Sequence, residues 1–287
     1  MLAIAIIVLR EVLEASLIIG IVLAASLGVV GRGAWIGGGV IGGLAGAGAV
    51  ALFAAAISDA FSGTGQELLN AGVLILAVAM LAWHNIWMAR HANEVTREAN
   101  ALGKAVATGQ RPLIALGLVV GSAVLREGSE TVLFVYGVAT SSSETPIEMI
   151  LGGILGIAGG AALGVALYMG LLRIPVRRLF AVTGWMVLFL AAGLASQAAN
   201  FLVQADLLPA LGQDIWDTSF LLSETSIPGR ILHTLIGYAA RPQGIQVLAF
   251  IATLAAIGLP MWLIVRPSDN RGRTHGTRQD GKLAYKG

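Results

Sequence analysis

The stretch LREVLEASLIIGIVLAAS, at residues 9–26, places three charged side chains inside an apolar run long enough to form a helix. A second stretch, LREGSETVLFVYGVATSS at residues 125–142, repeats the pattern at an offset of 116 residues. Both contain the motif Arg-Glu-x-x-Glu, at residues 10–14 and 126–130. Seven positions match, Leu9, Arg10, Glu11, Glu14, Leu17, Val22 and Ser26 in the first stretch, so the chain is predicted to contain two related halves.

The composition places these charges in a membrane. Hydrophobic residues make up 56% of the 287 residues and charged residues only 12%, about half of the roughly 25% found in soluble domains. Apolar runs of about 20 residues, enough to cross a bilayer core of about 30 Å, recur along the chain. The sequence therefore predicts an all-α, multi-pass membrane protein. The absence of cysteine excludes disulfides, thiolate metal sites and cysteine nucleophiles.

Seven transmembrane helices are predicted in one permease domain at residues 1–265. The predicted spans are 2–30, 34–57, 67–89, 112–140, 147–172, 179–203 and 244–265. An external loop at residues 204–243 precedes the seventh span, and short interfacial helices are expected within it. The polar, basic tail at residues 266–287 is predicted to be cytosolic and disordered.

The distribution of basic residues predicts an N-out, C-in orientation, since cytoplasmic loops retain Lys and Arg. With the N-terminus outside, 14 of the 18 basic residues lie on the cytoplasmic side, and only Arg230 and Arg241 lie outside. The opposite orientation would reverse this ratio. The predicted cytoplasmic set is Arg32, Arg90, Arg97, Lys104, Arg111, Arg173, Arg177, Arg178, Arg266, Arg271, Arg273, Arg278, Lys282 and Lys286.

The two halves are predicted to form an inverted-topology repeat of 3+3 helices, with repeat 1 at about 1–90 and repeat 2 at about 111–203. Three spans per half make the halves insert in opposite directions. Glycines at intervals of four follow the motif in both halves, which favours close helix packing. They are Gly38, Gly42 and Gly46, then Gly152, Gly156, Gly160 and Gly164. In transporters built this way, the binding site lies at the repeat interface near the midplane.

The six charged residues of the two motifs are costly to place in a bilayer. Each costs about 2.5–3.5 kcal/mol at the centre of a spanning helix. Three such residues cancel most of the insertion energy of their helix, and both helices carry them at matching positions. Structural ion pairs that lock helices together are one explanation. A repeated functional site is the explanation that the duplication favours.

Helix geometry predicts a cation site. Residues three apart share a helix face, and residues four apart can form ion pairs. If the two motif helices meet, four carboxylates converge, and an all-oxygen set suits a hard metal cation. Four glutamates and two arginines leave a formal charge of −2, which does not select an oxidation state. The predicted ligands are Glu11, Glu14, Glu127 and Glu130, with Arg10 and Arg126 as supporting ion pairs.

Four other polar residues are candidates for the transport pathway: Glu67, His84, Gln197 and Asn200. A helix-terminal role for the first and interhelical packing or hydrogen bonding for the others are the alternatives. His84 and His91 lie seven residues apart on one helix face, which allows a metal pair, although a packed or interfacial role is the more common one for such histidines.

The paired motifs, in the first and fourth of seven predicted spans, resemble those of the oxidase-dependent iron permeases, which include fungal high-affinity iron permeases and bacterial relatives. The segment from Trp216 through Pro242 also resembles the bacterial members. The resemblance covers residues 1–265 and implies that the four motif glutamates bind iron, in its ferric form. It also implies a separate extracytoplasmic oxidase, peroxidase or iron-binding protein. The usual Gly-Leu between the glutamates is replaced here by Val12-Leu13 and Gly128-Ser129, which leaves substrate preference open.

The sequence is thus interpreted as a multi-pass permease of the cell (inner or plasma) membrane that moves iron into the cytoplasm. No enzymatic activity, no permanently bound cofactor and no nucleic-acid partner are expected. One alternative is transport of another cation, a divalent metal or lead. A second is an intramembrane protease that uses glutamates, which needs histidine partners; no histidine accompanies either motif in the sequence. A third is a sensor or scaffold that binds metal without transport.

Overall fold

A computed structural model describes residues 1–60, 66–141, 145–170, 176–223, 226, 228–229, 232–233 and 237–265, and these contain helices and turns but no strand. Seven long helices lie within this part of the chain. They are α1 (Leu2–Ala25), α2 (Arg32–Ala60), α3 (Gln66–Ala107), α4 (Ile114–Ser141), α5 (Pro146–Tyr168), α6 (Val176–Gln204) and α7 (Gly244–Val265). The all-α prediction is confirmed for these residues, while the predicted disordered tail at 266–287 lies outside them.

Five of these helices are long and apolar enough to cross a membrane, at Arg32–Ala56, Glu67–Met88, Pro146–Tyr168, Ala181–Gln204 and Gly244–Leu263. Helices α1 and α4 contain 24 and 28 residues, and at about 1.5 Å per residue each is also long enough to span. Both carry three charged motif residues, which lower their hydropathy. The chain is a multi-pass membrane protein. The count of seven spans and the N-out orientation remain predictions.

The predicted third span, 67–89, agrees with the apolar span Glu67–Met88, and helix α3 continues beyond it to Ala107, with 42 residues in all. Residues 90–107 were assigned to an inner loop because they are charged. Yet they contain five Ala, with two Arg and two Glu, and lack proline, and such residues favour a helix whatever their hydropathy. The helix ends before Gly109, whose φ is +75°. The first helix is shorter than its predicted span. Gly28 and Gly31 follow α1 and adopt positive φ.

The first helix of each half packs along the second helix of the other half. Helix α1 packs along α5, and α4 packs along α2. An added Cβ on Gly156 would lie 2.7 Å from Val8 Cβ, and one on Gly43 would lie 2.7 Å from Val124 Cβ. Val8 and Val124 are related by the offset of 116 residues that aligns the motifs. Equivalent positions therefore make equivalent contacts, as expected for duplicated halves related by a two-fold axis.

The glycine face of α2 was predicted one residue out of register. Gly38 and Gly42 have no neighbour within 4 Å of an added Cβ, whereas Gly39 and Gly43 face α4 closely. One residue rotates a helix by about 100°, so the predicted face was wrong at these two positions. Gly46 does face α4, against Leu125. The stripe on α5, from Gly152 to Gly164, is buried as predicted.

Helix α1 lies at the centre of the helices, with contacts to α3, α4, α5 and α6. Its buried residues include Arg10, Glu11 and Glu14 as well as apolar residues such as Ile7 and Leu13. Helix α4 packs against both α1 and α3. The two motif helices are therefore neighbours, and α3 lies beside both of them.

The loop at residues 204–243, predicted to be external, is fixed at its start by backbone and side-chain hydrogen bonds rather than by helices. Residues 205–223 form turns and extended segments, where a short interfacial helix was predicted from Trp216 onward. Thr218 N donates to Ala240 O at 3.0 Å, and Arg241 forms an ion pair with Asp217 at 2.9 Å. The later part of the loop in which short interfacial helices were predicted lies mostly outside the described residues.

Candidate metal centre

The two motifs and one histidine of α3 meet inside the protein. Glu11 and Glu127 are 1% and 2% exposed, and His84 is 5% exposed. One ligand atom from each of Glu11, His84, Glu127 and Glu130 lies within 4.8 Å of the others. These four residues are called the four-residue cluster below. Metal–ligand bonds of about 2.0–2.2 Å, as at zinc sites, place ligand atoms at most about 4.4 Å apart. Small side-chain movements would thus let one ion contact all four.

The first glutamate of each motif is held in the same way. Arg10 Nη1 donates to Glu11 Oε1 at 2.7 Å, and Arg126 Nε donates to Glu127 Oε1 at 2.9 Å. In both residues Oε2 is buried and accepts no hydrogen bond from any described group. Buried carboxylate oxygens are rarely left unpaired in proteins, and an ion is one explanation when they are. Each arginine therefore fixes its neighbour while leaving one oxygen available to a cation.

The second glutamates are held differently from each other. Glu14 Oε1 lies 2.9 Å from Arg10 Nη2, and Glu14 Oε2 lies 3.2 Å from His84 Nε2. Glu130 Oε2 lies 2.5 Å from His84 Nδ1. His84 thus connects the second glutamate of one motif to that of the other. Glu14 lies beside the four-residue cluster rather than within it.

The two arginines also differ. The side chain of Arg10 is 2% exposed and contacts both glutamates of its motif. The side chain of Arg126 is 38% exposed, pairs with Glu127 rather than with Glu130 among the described ion pairs, and lies 5.4 Å from the centre of the Trp87 ring. The contact between residues four apart, expected in both motifs, is therefore present in the first and replaced in the second.

His84 is the residue whose part sequence reasoning underestimated. It was considered only for the pathway or for a pair with His91, and neither motif has a histidine nearby in sequence. In the fold, His84 lies between the two motifs, so the expectation that no histidine accompanies them was wrong. The available signal was its position within the apolar span Glu67–Met88, because intramembrane ionisable residues usually have a function.

The remaining pathway candidates do not join the cluster. Glu67 is exposed in the first turn of α3, about 25 Å from His84 along the helix at about 1.5 Å per residue. Gln197 and Asn200 are partly buried on α6, and neither takes part in the described hydrogen bonds that connect the motifs. His91 stacks on Trp87 with ring centroids 5.0 Å apart, and its Nδ1 lies 3.0 Å from Trp87 O. It does not form a metal pair with His84.

A cavity of about 550 Å³ lies next to the motifs, between α1, α3 and α4. It is called the inner cavity below. Its charged or ionisable lining residues are His91, Glu94, Glu98 and Arg126, and its other lining residues are Ile18, Trp87, Val95, Ala99, Leu102, Val119, Ser122 and Ala123. Along each helix these positions lie on one side of the motif residues. Arg126 is shared, because it lines the cavity and also binds Glu127.

Comparison with known proteins finds iron permeases that match most of the chain. The model of the Iron permease FTR1 family matches residues 1–266. Proteins named ferrous iron permease EfeU from Shigella sonnei (strain Ss046) and Escherichia coli O157:H7 are each 33% identical over 262 residues, covering 88% of this chain and 94% of theirs. The protein of that name from Shigella flexneri is 32% identical over 200 residues, covering 68% of this chain and 84% of its own length. No solved structure matches the chain.

Proposed function

The chain belongs to the Iron permease FTR1 family, and from this premise we propose that it moves ferrous iron across the cell membrane into the cytoplasm through the four-residue cluster. The observation that supports this proposal most is the approach of four ligand atoms to within 4.8 Å, from three different helices and inside an apolar protein. Burial of so many ionisable groups is costly in a membrane. A cation that binds between them offsets that cost.

The donor set is compatible with iron, and the names of the relatives support Fe²⁺ rather than the ferric form expected from the family resemblance. Three carboxylates and one imidazole form a mixed oxygen and nitrogen set, and imidazole suits iron, zinc, nickel and copper ions. Relatives that match over most of their length are named ferrous iron permeases. The ferric form and the separate oxidase or peroxidase remain predictions. A carrier of Fe²⁺ does not need an oxidase for the ion to bind.

The inner cavity gives the proposed route its direction. It lies on the side of the motifs where α3 continues toward Ala107 and carries Arg90, Arg97 and Lys104. By the distribution of basic residues, this is the cytoplasmic side. An ion that leaves the cluster past Arg126 would enter a space lined by Glu94 and Glu98. These carboxylates would stabilise a cation on its way to the cytoplasm.

Transport of another divalent metal remains the main alternative, because carboxylates and imidazole also bind Zn²⁺ and Mn²⁺. The protease alternative gains a histidine in the fold, but the matching relatives are named as permeases. The sensor or scaffold alternative predicts binding without flux. Uptake measurements separate these possibilities.

The test is uptake of radioactive iron into proteoliposomes that contain the purified protein, under anaerobic conditions with ascorbate for Fe²⁺ and with ferric citrate for Fe³⁺. We expect saturable uptake of Fe²⁺, little uptake of Fe³⁺, and loss of uptake in Glu127→Gln. Asp217→Asn is the matched control, because it removes a carboxylate from the external loop. Uptake of Fe³⁺ alone, or wild-type uptake by Glu127→Gln, would contradict the proposal. Excess Mn²⁺ and Zn²⁺ in the same assay measure selectivity.

A further inference from the structure

We propose that Glu14 is a positioning residue and not a metal ligand: it holds His84 so that Nδ1 faces the ion, and Arg10 in turn holds Glu14. This inference rests on the proposed function, because it concerns how the same site binds its cation. It makes the two motifs unequal. The first supplies one ligand and one support, and the second supplies two ligands.

The position of Glu14 supports this division. Its side chain is 1% exposed, with one oxygen 2.9 Å from Arg10 Nη2 and the other 3.2 Å from His84 Nε2. Oε2 is within hydrogen-bond distance of His84 Nε2, whereas Oε1 is in ion-pair contact with Arg10 without hydrogen-bond geometry. Glu11, Glu127 and Glu130 all belong to the four-residue cluster, and Glu14 does not. Its two oxygens are directed to Arg10 and His84 instead.

The two ring nitrogens of His84 face different partners. Nδ1 lies 2.5 Å from Glu130, which belongs to the cluster, and Nε2 lies 3.2 Å from Glu14, which does not. A neutral imidazole carries one hydrogen, so a nitrogen that binds a metal leaves the hydrogen on the other nitrogen. With Nδ1 on the ion, Nε2–H donates to Glu14 Oε2. Histidines that bind metals usually donate their second N–H to a carboxylate or carbonyl, which fixes the ring and its tautomer.

The second motif lacks the equivalent support. Arg126 pairs with Glu127, lies over Trp87 and does not contact Glu130. The described partner of Glu130 is His84 Nδ1. An ion that binds Nδ1 therefore takes the place of that contact, and Glu130 can turn its oxygen to the same ion. The identical spacing of the motifs thus gives one glutamate fixed by an arginine and one that can move to the ion.

Fixing the His84 ring so that one nitrogen faces the ion affects which metal ions the site prefers. Mg²⁺, Ca²⁺ and Mn²⁺ prefer oxygen ligands, whereas imidazole binds Fe²⁺ well. Loss of the Glu14 contact would let the ring rotate and weaken the nitrogen bond, while the three cluster carboxylates would stay. Affinity for Fe²⁺ should then fall more than affinity for Mn²⁺. Glu14 would in this way set the preference for iron without touching it.

The experiment compares Glu14→Gln with Glu130→Gln in purified protein, by anaerobic titration with Fe²⁺ and with Mn²⁺. We expect Glu14→Gln to bind one ion with an affinity for Fe²⁺ lower by about 10–100-fold, the usual effect of changing a residue that supports a ligand. The ratio of Fe²⁺ to Mn²⁺ affinity should fall. Glu130→Gln should lose more affinity for both ions and keep that ratio closer to wild type. Equal losses of both affinities in Glu14→Gln would overturn the assignment.

A spectroscopic measurement tests the nitrogen ligand directly. The nitric oxide adduct of bound Fe²⁺ should show hyperfine coupling to one imidazole nitrogen, and this coupling should be absent in His84→Ala. The coupling should persist with altered strength in Glu14→Gln. An adduct of the wild-type protein without nitrogen coupling would show that His84 is not a ligand. Glu14→Asp is the second variant, because it keeps the charge beside Arg10 while withdrawing the carboxylate from Nε2; it should lower the Fe²⁺ to Mn²⁺ ratio as Glu14→Gln does.

The same preparations distinguish this inference from the proposed function. Binding of one Fe²⁺ with nitrogen coupling, together with an absence of uptake by the wild type, would refute iron transport and leave the role of Glu14 supported. Uptake by the wild type, together with a Glu14→Gln variant that behaves like Glu130→Gln in both titrations, would refute the role of Glu14 alone.

Discussion

The two Arg-Glu-x-x-Glu motifs have the same spacing but different surroundings. In the first, Arg10 is buried and contacts Glu11 at 2.7 Å and Glu14 at 2.9 Å. In the second, Arg126 is 38% exposed at the inner cavity and pairs with Glu127. The difference lies in what surrounds each arginine, because Arg10 is buried among the helices around α1 while Arg126 lines the inner cavity. A repeated motif thus does not imply repeated roles.

The largest effect is expected where the two motifs share a function. Glu130→Ala should abolish iron uptake into proteoliposomes while leaving membrane insertion intact, because it removes a proposed ligand together with a costly intramembrane charge. Glu11→Ala should do the same from the other motif. Uptake at the wild-type level by either variant would show that the two motifs do not share a function in transport. The amount of protein recovered from the membrane serves as the control.

The next largest effect should distinguish the two motifs through their arginines. Lysine keeps the charge but loses the planar set of five donors that contacts two carboxylates at once. Arg10→Lys should therefore lower both uptake and the Tm in detergent, and Arg126→Lys should lower uptake in part with little change in Tm. A buried ion pair that loses one partner costs about 3–5 kcal/mol, which is the upper limit for Arg10. Equal shifts in Tm would show that burial does not distinguish the two arginines.

A smaller effect is expected on the cavity side of the second motif. Replacing Glu94 and Glu98 together with glutamine should reduce uptake several-fold at low salt, since both carboxylates line the inner cavity. The reduction should shrink as ionic strength rises, because salt screens charges in solvent-filled spaces. Measuring uptake at two salt concentrations checks this. A salt-independent loss would indicate a structural role instead.

The smallest effect is expected for the exposed ion pair between Arg241 and Asp217 in the loop before α7. Hydrogen bonds from Ser219, followed by the interaction with Arg241, lower the pKa of Asp217 to about 2. A lowered pKa stabilises the fold above the pKa of the unfolded chain, and the contribution is lost as pH falls through about 2. Asp217→Asn should thus leave uptake unchanged between pH 5 and 8, and exposed pairs contribute little to stability. A large loss would mean that the loop takes part in transport.

Much of the fold follows from local features of the sequence. Apolar length predicted the helices, and the matched motifs predicted that α1 and α4 meet, because six intramembrane charges need partners. Helix α3 continues past its predicted membrane span to Ala107, since hydropathy reports the membrane boundary while helix propensity decides where a helix ends. The sequence does not show which residue of α3 faces the motifs. That depends on the rotation of α3 about its axis, which brings His84 inward and leaves Trp83 75% exposed.

The inequality of the two motifs could not be predicted from their spacing. Residues four apart can pair in any helix, but whether they do depends on competing partners. In the second motif Arg126 lies against Trp87 and the inner cavity, and Glu130 lies against His84. These partners belong to another helix. Only the packing of α3 against α1 and α4 brings them within reach.

The most direct test of the central claim, that both motifs bind the same iron ion, is the stoichiometry of Fe²⁺ binding in the wild type, Glu11→Gln and Glu127→Gln. Anaerobic titration calorimetry of the purified proteins measures it. One ion per chain in the wild type, and loss of that ion in each variant, is the predicted result. Two ions per chain in the wild type, with one retained at full affinity in each variant, would mean that each motif binds its own ion and that no shared site exists.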